Sequence, residues 1–140
     1  MRDQSMSAGY SGTPLAKKLG YKPGFRVYLD NAPEHYAELV APLPDDVEML
    51  SKAGAELDMI HLFTDKAKEL ATKLKRYQKQ IKPAGVIWVS WPKKASKRPT
   101  DITEDVVREL ALPLGLVDVK VCAVDEVWSG LKLVIRVENR

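Results

Sequence analysis

Leu57-Asp58-Met59-Ile60-His61-Leu62-Phe63, continued by Thr64-Asp65 and then, beyond a lysine-rich segment, by Val86-Ile87-Trp88-Val89-Ser90-Trp91, decides the architecture. The first run is almost continuously apolar, as suits a strand covered on both faces, and the last is the most strand-like segment of the chain. Between them Ala67, Leu70, Ala71, Leu74, Tyr77 and Ile81 recur at three- and four-residue spacing. That spacing draws one apolar stripe along a helix and leaves the lysines on its solvent side. Thr64-Asp65 suits the start of this helix and Pro83-Ala84-Gly85 its end. Strand, helix and strand in that order predict a parallel pair joined by a right-handed crossover.

Upstream, Phe25 to Leu29 reads as a strand ending at Asp30-Asn31, with a helix from Pro33 to about Val40 and a short second strand from Val47 to Leu50. Further upstream, Ser11 or Thr13 is placed to cap a helix with Pro14 at its first position, running through Leu15-Ala16-Lys17-Lys18-Leu19 and stopped by Gly20. Downstream, a polar loop from Pro92 to Pro99 leads to a helix with an Asp101/Glu104 capping box, whose buried face is Val106, Val107 and Leu110. Leu116 to Val124 and Leu131 to Val137 lie too close together for a parallel crossover, so they form an antiparallel hairpin. The whole predicts an α/β, Rossmann-like three-layer sandwich: a mostly parallel sheet ending in an antiparallel hairpin. Residues 1–8 read as a flexible N-terminal tail and 9–140 as one domain.

The chain has 140 residues, 45% hydrophobic and 29% charged, the composition of a water-exposed globular domain. Its longest apolar runs are far shorter than the roughly 20 residues that span a bilayer, and the N-terminus lacks an export-type apolar region, so the expected location is cytoplasmic. One cysteine and two histidines offer no metal cluster. The net charge is only +3, yet residues 64–98 hold eleven Lys/Arg against two acids, a local +9.

Gly9-Tyr10-Ser11-Gly12-Thr13-Pro14-Leu15-Ala16-Lys17-Lys18-Leu19-Gly20, Trp88-Val89-Ser90-Trp91-Pro92-Lys93-Lys94, Asp118-Val119-Lys120-Val121-Cys122-Ala123-Val124-Asp125 and Trp128-Ser129-Gly130-Leu131 together resemble a family of small, mostly bacterial proteins catalogued as a domain of unknown function. The resemblance spans about Gly9 to Arg136. It implies one compact domain and brings no catalytic residues with it.

A parallel sheet binds ligands beyond the carboxyl ends of its strands. That rim is predicted to carry Asp30 and Asn31 after the first strand, Thr64 and Asp65 after the third, and Ser90, Trp91, Lys93 and Lys94 after the fourth. Trp91 would stack on a planar group while the two lysines meet phosphate or carboxylate. Ser11, Thr13 and Lys17 offer hydroxyls and a cation to an anion at a helix start; the same residues also serve a plain helix cap. The turn Asp30-Asn31-Ala32-Pro33 has no glycine and includes a proline without an N–H, which argues against a dinucleotide or S-adenosylmethionine site of the usual form, and no cofactor is expected. His61 reads as a core histidine, Cys122 as an inert strand cysteine, and Asp125 and Glu126 either as an acid–base pair or as turn residues.

The leading expectation is a non-catalytic ligand- or protein-binding or regulatory domain with an anion-favouring site at this rim, its partner an anionic small molecule or a protein. The second is a small enzyme acting on a phosphorylated or carboxylated substrate, with Lys93 or Lys94 holding it and Asp30 or Asp125 as base. The third is weak nucleic-acid binding through the basic 64–98 segment.

Overall fold

The computed structural model describes residues 13–140. The predicted tail and Ser11 lie outside the described residues. The central βαβ unit forms as its pattern requires: β3 (Leu57–Phe63) runs parallel to β4 (Ile81–Pro92), with α3 (Ala67–Tyr77) between them in sequence. Before it come α1 (Leu15–Leu19), β1 (Arg26–Asp30), α2 (Tyr36–Leu39) and β2 (Glu48–Leu50). After it come α4 (Glu104–Ala111), β5 (Leu116–Ala123) and β6 (Trp128–Ile135).

The six strands form one sheet in the order β2-β1-β3-β4-β6-β5. The first four are parallel, while β6 lies antiparallel between β4 and β5. The fold is therefore the expected α/β sandwich with a terminal hairpin. Strand order reverses at β1, which sits between β2 and β3, so a crevice opens there at the carboxyl ends.

Alternation along the strands divides the core in two. Ile60, Leu62, Ile87 and Val89 pack with Leu70, Leu74 and Tyr77 of α3 and Val107 and Ala111 of α4. Met59, Phe63, Trp88 and Trp128 pack with Ala16, Leu19, Tyr36 and Val40 on the opposite face. Gly130 suits this second core: a Cβ there would stand 3.2 Å from the Trp88 ring, a tighter contact than side chains ordinarily make.

Several local expectations are corrected. The stripe ending at Ile81 overran the helix, which stops at Tyr77; Ile81 instead opens β4 opposite Leu57, with Leu57 N–H donating to the Gln80 carbonyl at 2.9 Å. Ile81 is buried in the strand, the same burial the helix stripe predicts for it, so apolar spacing alone does not distinguish the two. The helix after β1 is a single turn, Tyr36–Leu39, because residues 33–35 form a turn instead. Asp101 does not pair with Glu104 at the head of α4; its Oδ1 accepts from Ala67 N–H of α3 at 2.7 Å, and Thr103 caps α4 by accepting from Val106 N–H at 3.2 Å. At α1 the capping position is Pro14, which brings no side-chain hydrogen bond, so Thr13 is not a cap. Gly20 does end α1, in the left-handed conformation at φ 88° that a residue with a Cβ adopts rarely.

Candidate functional site

The first strand delivers Asp30 to the rim, but its carboxylate turns under α3. It accepts the Tyr77 hydroxyl at 2.5 Å and the Lys73 ammonium at 3.0 Å. Burial pushes the Tyr77 phenol above its ordinary range, which keeps it a donor to Asp30. Asp30 is thus a tie between strand and helix rather than a group offered to a ligand. The next residue, Asn31, takes the left-handed conformation at φ 62°, and its side-chain amide donates to the Phe63 carbonyl at 3.3 Å.

At the end of β3, Thr64 N–H donates to the Ser90 carbonyl at 3.0 Å, which closes the β3–β4 ladder. The Thr64 hydroxyl donates to the Glu69 carboxylate and accepts from Lys66 N–H at 3.3 Å. Glu69 also lies 3.9 Å from Lys73, one helical turn away. Trp128, at the start of β6, meets Phe63 edge-on with centroids 5.1 Å apart, and the Arg98 guanidinium stands 5.0 Å from the indole centre. Together Asn31, Pro33, Thr64, Glu69, Arg98 and Trp128 border a cleft of about 470 Å³, a volume suited to a small molecule. Ala32, Glu34, Asp65 and Lys66 complete its wall. Three carboxylates therefore face two cations, so the rim is mixed in charge and not anion-favouring as expected.

Of the residues predicted for the rim, Asn31 lines this cleft, as do Thr64 and Asp65. Ser90 is fully buried, its Oγ 2.8 Å from His61 Nε2. Trp91 is buried in the core beneath α3 and α4, so it cannot stack on a ligand. Lys93 N–H donates to the Val127 carbonyl at 2.7 Å and Lys94 begins an exposed 3₁₀ turn; neither borders the cleft. Thr13 and Lys17 border a separate cleft against β5. Asp125 is a turn residue: its Oδ1 accepts from Val127 and Trp128 N–H at 2.8 Å each, and its Oδ2 lies 2.9 Å from His35 Nε2.

Glu69, Arg98 and Trp128 were not found from the sequence. Glu69 follows the third strand end by one helical turn and so was legible in principle. Arg98 and Trp128 meet only through the fold.

No family model matches this chain, and no curated protein matches it. Solved structures do. A SAM-dependent methyltransferase from Aquifex aeolicus superposes with a TM-score of 0.59 at 17% identity, over 85% of this chain and 86% of its own. Magnesium protoporphyrin IX methyltransferase from Synechocystis PCC 6803, solved with bound SAM, gives 0.58 at 9% identity, over 86% and 76%. A protein in the NADB-Rossmann superfamily from Streptococcus agalactiae gives 0.54 at 10% identity, over 91% and 70%. The fold is Rossmann-like. Several of the similar structures are methyltransferases, and against that finding the expectation of a non-catalytic binding or regulatory domain is withdrawn.

The cleft offers a poor match to the S-adenosylmethionine of those methyltransferases. Asn31 supplies the left-handed bend that a glycine would give, but Ala32 and Pro33 bring side chains into the cleft wall where close backbone approach is needed. Asp30 is consumed by Lys73 and Tyr77. The second strand ends at Leu50-Ser51-Lys52, with no carboxylate to take ribose hydroxyls. These residues do not fit an adenosine-containing cofactor in a glycine-turn cradle.

Proposed function

We propose that this chain is a small enzyme whose reacting centre is the cleft over the ends of β1 and β3 and the start of β6. The observation that carries this reading is the Thr64–Glu69 pair, set at the strand-order reversal of a scaffold shared with methyltransferases. Glu69 is half-exposed toward the cleft, with Lys73 and the Thr64 hydroxyl holding its carboxylate in place. A carboxylate so oriented takes a proton from a hydroxyl or amine of a bound substrate. Arg98 over Trp128 forms the opposite wall and positions that substrate by its polar and flat surfaces. The mixed charge of the wall favours a substrate with both donor and acceptor groups. No step is assigned to a nucleotide cofactor.

The test is incubation of the protein with a metabolite mixture, followed by mass spectrometry. A protein-dependent conversion is expected in the wild type, reduced about 100-fold or more in Glu69→Gln, the scale of lost general-base catalysis. The melting temperature of the variant should stay close to wild type. Conversion undiminished in the variant, or no conversion and no thermal stabilisation by any metabolite, would reject the reading. Thermal stabilisation by S-adenosylmethionine that survives Glu69→Gln would reject the absence of a nucleotide cradle.

A further inference from the structure

Arg98, on the wall of the rim cleft, differs from the other arginines of the fold. Among the described residues its guanidinium gives no hydrogen bond and makes no ion pair; it rests on the Trp128 ring, 5.0 Å from the ring centre. The other described arginines each give the guanidinium to an oxygen of the chain: Arg108 to three carboxylates, Arg26 and Arg136 to one each, Arg76 to a phenol and Arg140 to a carbonyl. Arg98 is nonetheless held in place. The Ser96 hydroxyl accepts its backbone N–H at 3.2 Å and donates to the Lys93 carbonyl at 2.7 Å, while the Thr100 hydroxyl donates to the Asp65 carbonyl at 2.8 Å. The loop is thereby tied both to the end of β4 and to the head of α3. Stacking on the indole then aims the guanidinium plane and leaves its N–H donors unspent.

An exposed arginine without a partner means little when water surrounds it. Arg98 instead borders a concavity of about 470 Å³ whose other cation is taken: Lys66 pairs with Asp65 at 3.3 Å. Of the acids there, Glu69 is held by Lys73 and Thr64, and Glu34 is exposed and forms no ion pair among the described residues. The cleft is therefore mixed in charge as a whole and anion-favouring at one point. A planar fork of N–H donors matches a carboxylate bidentately. A doubly charged phosphate would meet the same single guanidinium and a stronger repulsion from Glu34 and Glu69; a carboxylate carries less charge toward those acids. Arg98 and Glu69 do not pair with each other, which leaves room for one molecule to reach both.

We infer that the substrate of the rim cleft is a small monocarboxylic acid that also bears a hydroxyl or amino group, its carboxylate held by the Arg98 guanidinium stacked on Trp128. The hydroxyl or amine then turns to Glu69. The inference rests on the reading of this cleft as the reacting centre and adds the residue that selects the substrate: Arg98 takes the acid, and Glu69 acts on the group the acid presents.

The test uses the full chain and two hydroxy acids of different length, salicylate and 4-hydroxybenzoate, each titrated against its carboxamide by ligand-observed NMR. At least one acid is expected to bind saturably and about tenfold or more tightly than its amide, the scale of a charge-assisted bidentate pair. In Arg98→Gln acid and amide should bind alike. Arg98→Lys keeps the charge without the planar fork and should restore the preference only in part. Lys94→Gln, outside the cleft, should keep it in full. Arg98 is exposed, and circular dichroism checks that each variant folds. The inference is overturned if neither acid is preferred to its amide, or if the preference survives Arg98→Gln. Inorganic phosphate bound through Arg98 more tightly than either acid would overturn it in favour of a phosphorylated substrate. Conversion that depends on Glu69, without any acid preference, overturns the substrate class alone; an acid preference that depends on Arg98, in a protein that converts nothing, overturns the enzymatic reading alone and supports the carboxylate site.

Discussion

Beneath α3 the sheet buries charged groups: the Asp30 carboxylate, the Lys73 ammonium and the Tyr77 hydroxyl meet at 2.5–3.1 Å. Beneath α1 and α2 it buries a neutral chain, in which Tyr21 and Tyr36 hydroxyls are 2.8 Å apart, Tyr36 reaches His61 Nδ1 at 2.9 Å, and His61 Nε2 reaches Ser90 Oγ at 2.8 Å. The difference follows from depth. Lys73 and Asp30 keep 19% and 12% of their side-chain surface in contact with solvent, whereas His61 and Ser90 keep none. At the strand end water still screens a charge; in mid-sheet a charge would cost several kcal/mol, so polar groups there satisfy one another without ionising. Burial accordingly drives His61 down to about 3 and Tyr21 up to about 12.

The comparison is most easily broken at its neutral half. His61→Leu strands the Ser90 hydroxyl and removes one of two partners of Tyr36, so it should cost about 2–4 kcal/mol of stability by urea unfolding. A loss under about 1 kcal/mol would mean that the buried chain contributes little. His61→Gln, which keeps an amide near both hydroxyls, should recover part of the loss.

A pH series sharpens the contrast. His61 stays uncharged in the folded protein because its value there is depressed, so its contribution is complete above about 6.5, the ordinary histidine value, and is lost as pH falls toward about 3. Tyr21 works in the opposite direction: its contribution is complete below 10 and is lost as pH rises toward about 12. Unfolding free energy measured across this range should decline on the acid side in the wild type and less steeply in His61→Gln. Parallel curves for the two proteins would place the acid sensitivity elsewhere.

The charged half should respond more mildly. Asp30→Asn keeps an acceptor for Tyr77 but leaves Lys73 with Glu69 alone, for an expected loss of about 1–3 kcal/mol. Lys73→Gln should cost about 1 kcal/mol, since the Tyr77 hydroxyl still serves Asp30. Raising salt should narrow the Lys73 effect and leave the His61 effect unchanged, because only the strand-end cluster is within reach of ions.

Much of the scaffold was legible. The apolar run from Leu57 to Phe63, the stripe from Ala67 to Tyr77 and the close spacing of the last two strands predicted the parallel unit and the hairpin correctly. His61 was rightly read as a core histidine, yet its partners Tyr36 and Ser90 were not, because each belongs to a different element. The rim was legible as a list of strand ends but not as a set of directions. Asp30 and Trp91 sit where expected along the chain, yet Asp30 turns under α3 and Trp91 into the core, while Arg98 of the basic segment and Trp128 of the Trp128–Leu131 stretch enter the cleft from positions that the strand ends did not mark. The charge census misled in a similar way, since the dense basic segment is partly paired: Lys66 with Asp65, Lys73 with Asp30 and Lys82 with Asp58.

By itself the sequence determined which segments are strands and helices, their layering and the hairpin at the end, because periodic burial is a local property written every two or every three to four residues. Only the tertiary structure decided which polar side chains share a cleft. Lys18 and Lys120 meet across 102 positions, and Asp30 meets Tyr77 across 47, and no local pattern encodes either pairing. Such encounters depend on strand order and on the face toward which each element turns, which the packing of both apolar cores fixes together.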